Sequence, residues 1–275
     1  MLAIMNEKFE TKKSLGQHFL NSAAVPRLLC DAGDVKKDDL VLEIGPGTGV
    51  LTREILARGA TVIALEADRR AIEVLKRDFA ADISSARLRV VETDVRKLDL
   101  RSLGLADHSF KVVANIPYYL TGHLFRVFLE GDTQPRSLVF LVQKEVGKRA
   151  AANLSRGGKE SLLSLSIKAF GEPEYMRTVG KGHFTPPPKV DSAIIRVSDI
   201  GRERFGRLAP AAFFEVLHLG FGAKRKQLLG NLAKRYDRQS VAKAFEALGL
   251  ASDIRAEDID IDTWIKLAKK LSSMG

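Results

Sequence analysis

The chain has a single cysteine, Cys30, among 275 residues. One thiol excludes an internal disulfide, and neighbours Leu28, Leu29 and Ala32 mark it as an inert core side chain. No run approaches the ~20 apolar residues that a membrane span requires, so no membrane partner is expected. Met1 to Lys13 contains neither a signal-peptide core nor an arginine-rich amphipathic pattern, which makes the cytoplasm the expected location. No His, Cys or Asp cluster has metal-ligand spacing, and no metal is expected. No serine–histidine or cysteine–histidine arrangement points to covalent catalysis. His18 and His183 are accordingly read as structural or hydrogen-bonding residues. Internal repeats and low-complexity tracts are absent as well, which excludes solenoids.

Acidic residues are missing from one stretch. From Phe221 to Tyr236 the chain carries Lys224, Arg225, Lys226, Lys234 and Arg235 and no acid. The whole chain has 44 basic and 34 acidic residues, a net charge of +10 and a pI near 9.7. An excess of that size, clustered in this way, favours a polyanionic partner such as RNA. A solvated helix face is the plainer alternative.

Apolar residues make up 45% of the sequence, enough for one large domain and a small one. Short apolar runs read as strands at Leu40–Ile44, Thr61–Leu65, Leu88–Val91, Val112–Ala114, Ser137–Val142 and Ser192–Val197. Pro173–Val179 is expected to pair with the last of these as a late hairpin. Helical spacing fills Val50–Leu56, Ala67–Phe79 and Leu120–Leu129. Strands alternating with helices predict an α/β fold with a mostly parallel sheet. After Gly201–Arg204 the strand signals stop. Ala209–Leu219, Lys224–Arg235, Ser240–Leu248 and Asp262–Leu271 read as short helices, with Ser240 and Asp262 as N-caps and Gly249 as a stop. The predicted division is residues 1–204 as the α/β domain and residues 205–275 as a small helical, RNA-binding one.

Four features recur at strand ends. Gly45-Pro46-Gly47-Thr48-Gly49 follows the first strand, where glycine lets the backbone turn sharply beside a ligand. Glu66 ends the second strand and can accept hydrogen bonds from both hydroxyls of a ribose. Asp94 follows the third and can accept from an adenine amino group. Asn115-Ile116-Pro117-Tyr118 closes the fourth. Taken singly, each is a turn, a cap or a surface charge. As an ordered set they predict a nucleoside cofactor, and with Asn115-x-Pro117-Tyr118 they predict S-adenosylmethionine and an amino-group methyl acceptor.

An exocyclic adenine amine is a weak nucleophile because its lone pair is delocalised into the ring. The Asn115 oxygen and a backbone carbonyl near Pro117 can accept from its two N–H groups, and Tyr118 can stack on the base. The stiff segment Phe184-Thr185-Pro186-Pro187-Pro188-Lys189-Val190-Asp191-Ser192 is either a rigid linker or the means of holding Phe184 against the other face of that base.

Together with Lys13-Ser14-Leu15-Gly16-Gln17-His18-Phe19-Leu20 and Gln143-Lys144-Glu145-Val146, these motifs follow the order found in the small-subunit ribosomal RNA adenine N6,N6-dimethyltransferases, the kasugamycin-susceptibility family. The resemblance runs from about residue 10 to about 235. Phe221-Gly222-Ala223-Lys224-Arg225-Lys226 is similar to that family's C-terminal domain. The resemblance implies a class I S-adenosylmethionine-dependent methyltransferase fold (Rossmann-like) with a helical C-terminal domain. It also implies dimethylation of two adjacent adenosines in a hairpin near the 3′ end of small-subunit rRNA, late in assembly of a 30S-type subunit. By motif position the implied cofactor contacts are His18, Leu20, Gly45, Glu66, Asp94 and Asn115. The implied acceptor contacts are Asn115, Pro117, Tyr118 and Phe184. His18 stands where that family commonly has Asn, and Tyr119 where Asn is frequent. Nothing in the sequence demands a dimer, so a monomer is expected. Two alternatives share the scaffold: a large-subunit rRNA adenine dimethyltransferase of the macrolide-resistance type, and a nucleic-acid-binding protein without catalysis.

Overall fold

A computed structural model describes residues 18–223 and 226–273 of the chain. The Lys13–Gln17 part of the N-terminal motif, and Lys224 and Arg225 of the basic cluster, lie outside the described residues. In chain order the elements are β1 (Phe19–Leu20), α1 (Ala24–Ala32), β2 (Leu40–Ile44), α2 (Val50–Ala57), β3 (Thr61–Glu66), α3 (Arg69–Asp78), α4 (Ala80–Ser84), β4 (Leu88–Glu92), β5 (Lys111–Asn115), α5 (Thr121–Glu130), β6 (Ser137–Gln143), α6 (Lys144–Ala150), α7 (Leu162–Lys168), β7 (Glu172–Val179), β8 (Phe184–Thr185) and β9 (Ser192–Ser198). Four helices follow: α8 (Pro210–Phe221), α9 (Leu228–Leu232), α10 (Arg238–Ala247) and α11 (Ile261–Ser272).

Seven strands form one sheet in the order β4-β3-β2-β5-β6-β9-β7. Strands β4, β3, β2, β5 and β6 run parallel, while β9 is antiparallel to both β6 and β7. The predicted late hairpin is therefore present. The central strands carry unbroken branched and aromatic runs, such as Ser-Leu-Val-Phe-Leu-Val-Gln in β6, because helices cover both faces. On one face Leu42, Val112 and Phe140 pack with Phe125 and Phe128 of α5. On the other, Val41, Val113 and Leu141 pack with Leu29 of α1 and Ile55 of α2. Cys30 is fully buried there, and burial pushes its thiol up to about 12, as an inert core residue requires.

Across the expected boundary near residue 204 the apolar core is continuous. The first cluster continues through Phe170, Phe205 and Phe213 to Trp264 in α11. The rings of Phe170 and Phe205 lie 5.1 Å apart, and Arg204 pairs with Glu172 on one side and Asp262 on the other. Each buried large apolar side chain at such a seam contributes about 1.5–3 kcal/mol, so the helices are seated by packing rather than hung on a linker.

Three helix expectations are corrected. Asp237 caps α10, accepting from the Ser240 N–H at 2.8 Å, and Asp260 caps α11, accepting from the Thr263 N–H at 2.7 Å. Asp has the same capping chemistry as Ser and stood nearer the true start in each case. Of the expected Lys224–Arg235 helix, the described residues form Leu228–Leu232. Among the described residues no helix is long and apolar enough to cross a membrane.

Candidate active site

The parallel strands β2, β3, β4 and β5 end on one edge of the sheet, beside a cavity of about 520 Å³. Its lining includes Gly45, Glu66, Asp94 and Asn115, one from the end of each strand, together with His18, Pro117 and Tyr118. Residues from positions 18 to 118 thus converge because parallel strands bring their carboxyl ends to one side.

Gly45 follows β2 at φ +65°, with nothing within 4 Å of where a Cβ would stand, so a side chain there would project into the cavity. Gly49 caps α2 at φ +80°, and a Cβ would meet the Phe79 ring at 2.4 Å. Both positions need glycine, one to leave room for a ligand and one for close packing. Glu66 is 7% exposed and fixed by three main-chain donors. Its Oε1 accepts from the N–H groups of Ala67 (2.8 Å) and Asp68 (2.9 Å), and its Oε2 from that of Gly47 (3.1 Å). The carboxylate therefore spans from the end of β3 to the glycine turn.

Asp94 accepts from the Arg96 main-chain N–H at 3.0 Å and from the Arg96 guanidinium at 2.6 Å. Those two bonds hold its carboxyl down to about 2. Its oxygens are shared with Arg96, so a further hydrogen bond would fall on their remaining lone pairs.

At the far end of the cavity, Asn115 Nδ2 donates to the His18 carbonyl at 3.1 Å. That bond turns the carboxamide so that Oδ1 is left as an acceptor, with no donor on it among the described residues. His18 Nδ1 in turn lies 2.8 Å from the Pro186 carbonyl, tying this corner to the proline-rich segment. The Tyr118 hydroxyl lies 2.8 Å from Ser192 Oγ, with the His18 ring 5.9 Å from its own, and partial burial raises its phenol. The Pro117 carbonyl already accepts from the Leu120 N–H at 2.9 Å. Among the described residues no donor meets the Ile116 carbonyl, so the free backbone acceptor lies one residue before the proline.

Leu20 and Phe184 depart from expectation. They are cross-strand partners in the β1–β8 pair, 6% and 2% exposed, and neither lines the cavity. The Phe184 ring packs in the core with Leu20, Val179 and Ile194 rather than on the cavity wall. Phe19 faces the cavity instead, its ring 2.7 Å from where a Cβ of Gly47 would stand. Alternation along a two-residue strand sends one neighbour in and the other out, and the motif alone does not say which.

Sequence reasoning also passed over Glu43. It is 1% exposed, and Thr52 Oγ1 donates to its Oε2 at 2.7 Å while Oε1 is buried without a partner. Burial, aided by the charge of Glu66, pushes its carboxyl up to about 8 against the Thr52 hydrogen bond. The signal was present, since an acid inside a strand buried on both faces is unusual.

In the helical unit Lys226, Lys234 and Arg235 are exposed, but Arg235 is not free of acid. Its Nε lies 3.7 Å from Glu215 Oε1 of α8, so an acid-free sequence stretch acquires one in space. Asn231, 1% exposed, donates to the Gly220 carbonyl at 2.7 Å and the Ala223 carbonyl at 3.2 Å, anchoring the turn that leads to the basic cluster. Among the described residues no group of His, Cys, Asp and Glu is arranged to hold a metal ion.

Known proteins are similar to this chain over nearly its full length. A ribosomal RNA small subunit methyltransferase A of Dehalococcoides mccartyi is 37% identical over 255 residues, covering 92% of this chain and 86% of its own length. A protein of the same name from Thermosynechococcus vestitus is 36% identical, covering 96% and 97%. Among solved structures, a dimethyladenosine transferase from Plasmodium falciparum superposes with a TM-score of 0.79 at 25% identity, covering 94% of this chain and 98% of that one. The 23S rRNA methyltransferase ErmE superposes with a TM-score of 0.71 at 25% identity, covering 92% and 99%. These neighbours share the class I methyltransferase fold, a largely parallel sheet flanked by helices. The ribosomal RNA adenine dimethylase profile matches residues 8–273, and the chain belongs to that family.

Proposed function

We propose that this enzyme transfers methyl groups from S-adenosylmethionine to N6 of two adjacent adenosines in a hairpin near the 3′ end of small-subunit rRNA, giving N6,N6-dimethyladenosine. The observation that carries the chemistry is the orientation of Asn115. Its amide N–H is used by His18, so its oxygen is the group offered to a ligand. An adenine amine entering the Tyr118 corner would give one N–H to Asn115 Oδ1 and the other to the Ile116 carbonyl. Two acceptors on the N–H groups direct the nitrogen lone pair along one line and favour the positive charge that develops on it. Tyr118, pinned through Ser192, stacks on the base. After transfer the alkylated nitrogen is acidic and gives its proton to water, so no dedicated base is needed.

The residues present fit the donor. S-adenosylmethionine, when bound, supplies an electrophilic methyl group. Glu66 has two fixed oxygens suited to a ribose diol, Asp94 an acceptor for the adenine amine, and Gly45 leaves open space beside them. His18, which also lines the cavity, completes that side. The small-subunit target is supported by the names of the sequence relatives. The partner on this reading is rRNA within an immature 30S-type subunit, met in the cytoplasm by a monomer. The helical unit, residues 205–275, would hold the RNA through Lys224, Arg225, Lys226 and Lys234.

The test is incubation of under-modified small subunits with isotopically labelled donor, followed by mass-spectrometric mapping of methylated adenosines. The expected result is label on two adjacent adenosines of the small subunit. Label confined to large-subunit rRNA would overturn the assignment in favour of the ErmE-like reaction, and no label on either would overturn catalysis.

A further inference from the structure

Tyr119 is unused by the chemistry above, yet it is the most exposed large apolar side chain among the described residues, at 62%, and it lines the mouth of the cavity. Its backbone is held firmly. The Leu120 N–H donates to the Pro117 carbonyl at 2.9 Å, Thr121 Oγ1 donates to the Tyr118 carbonyl at 2.9 Å, and Leu120 is buried beneath. Among the described residues no ring stacks on Tyr119 and its hydroxyl makes no hydrogen bond. An aromatic side chain with no ring or hydrogen-bond partner among the described residues, presented on a rigid turn beside an acceptor site and near the Arg96 guanidinium, is placed for a ligand.

The neighbouring aromatics cannot do the same work. Tyr118 is partly buried and held through Ser192, the His18 ring sits beside it, and Phe184 is in the core. Extruding one adenosine into the cavity costs a few kcal/mol of lost stacking, and the nucleotide beside it is left with one exposed face. A ring one residue outside the acceptor turn, at the rim, meets that face.

We propose that Tyr119 stacks on the nucleobase adjacent to the adenosine being methylated, and so sets the enzyme's preference for a purine at that position. The proposal rests on the rRNA adenosine reading above and deepens it. With two adjacent target adenosines, each serves in turn as the base that Tyr119 holds.

The experiment compares wild type, Tyr119→Ala and Tyr119→Phe on under-modified small subunits, measuring kcat and KM for the subunit and Kd for S-adenosylmethionine. Base–aromatic stacking of ordinary strength predicts a roughly 5- to 150-fold rise in KM for Tyr119→Ala, with kcat changed little. Tyr119→Phe should behave as wild type, and donor Kd should be unchanged in both. On subunits whose second adenosine is replaced by uridine, the Tyr119→Ala penalty should shrink, because a pyrimidine offers less surface to stack. A kcat/KM for Tyr119→Ala within twofold of wild type would overturn the proposal. So would equal losses in Tyr119→Ala and Tyr119→Phe, a loss traced to donor Kd, or an identical penalty on both subunits. Wild-type enzyme that leaves small-subunit adenosines unmethylated would instead remove the underlying reading, and this one with it.

Discussion

Glu43→Gln isolates one buried carboxyl. In the fold its proton is held up to about 8, against an ordinary glutamate value of 4.5. The cause is burial, since the side chain is 1% exposed with one oxygen lacking a partner. The folded protein keeps a proton that the unfolded chain releases. Between about pH 4.5 and 8, therefore, native protein binds more protons than unfolded, and this group makes stability fall as pH rises. Below that window both states are protonated, and above it the loss is complete. At about 1.4 kcal/mol per unit the whole window is worth up to about 5 kcal/mol, and relaxation around the charge reduces that to as little as about half, giving about 2–5 kcal/mol. Glutamine keeps the shape and still accepts from Thr52, but it cannot ionise. Urea unfolding of both proteins across roughly pH 5 to 8.5 reads the effect directly. Subtracting one curve from the other cancels every other titrating group. The advantage of Glu43→Gln should grow with pH across the window and level off at its top. A difference that stays flat to within about 0.5 kcal/mol, or that shrinks with pH, would refute the reasoning.

Asn115→Ala should leave the fold intact, since the residue makes one hydrogen bond at the cavity wall, and lower methyl transfer by at least ~10²-fold; near-normal single-turnover rates would reject the two-acceptor clamp. Glu66→Ala should weaken donor affinity roughly 10- to 150-fold, the value of losing charge-assisted hydrogen bonds; calorimetry giving an unaltered Kd would take Glu66 out of the site. Replacing Lys224, Arg225 and Lys226 with alanine should reduce the salt dependence of RNA binding by up to about three phosphate contacts; an unchanged slope would leave that cluster as a solvated face.

Local signals carried the α/β alternation. Strands β2 to β6 and helices α2, α3 and α5 lie within a few residues of where periodicity put them, because each pattern reports which faces the element buries. Helix α1 has no side-chain cap and no acid in its first turn, and it went unread; α7 went unread despite its Ser161 capping box. The order Gly45, Glu66, Asp94, Asn115 was legible as well, since strand ends can be located in one dimension and parallel pairing then gathers them at one edge. Tertiary structure alone decided what each side chain faces. It turned Phe19 into the cavity while sealing Leu20 and Phe184 against each other, brought Glu215 to Arg235, and singled out the Ile116 carbonyl as the free acceptor near Pro117. It also oriented the Asn115 amide through a carbonyl 97 residues away in the chain. Periodicity and spacing record contacts among neighbours in sequence, whereas burial, hydrogen-bond pairing and charge depend on distances that exist only after the chain has closed on itself.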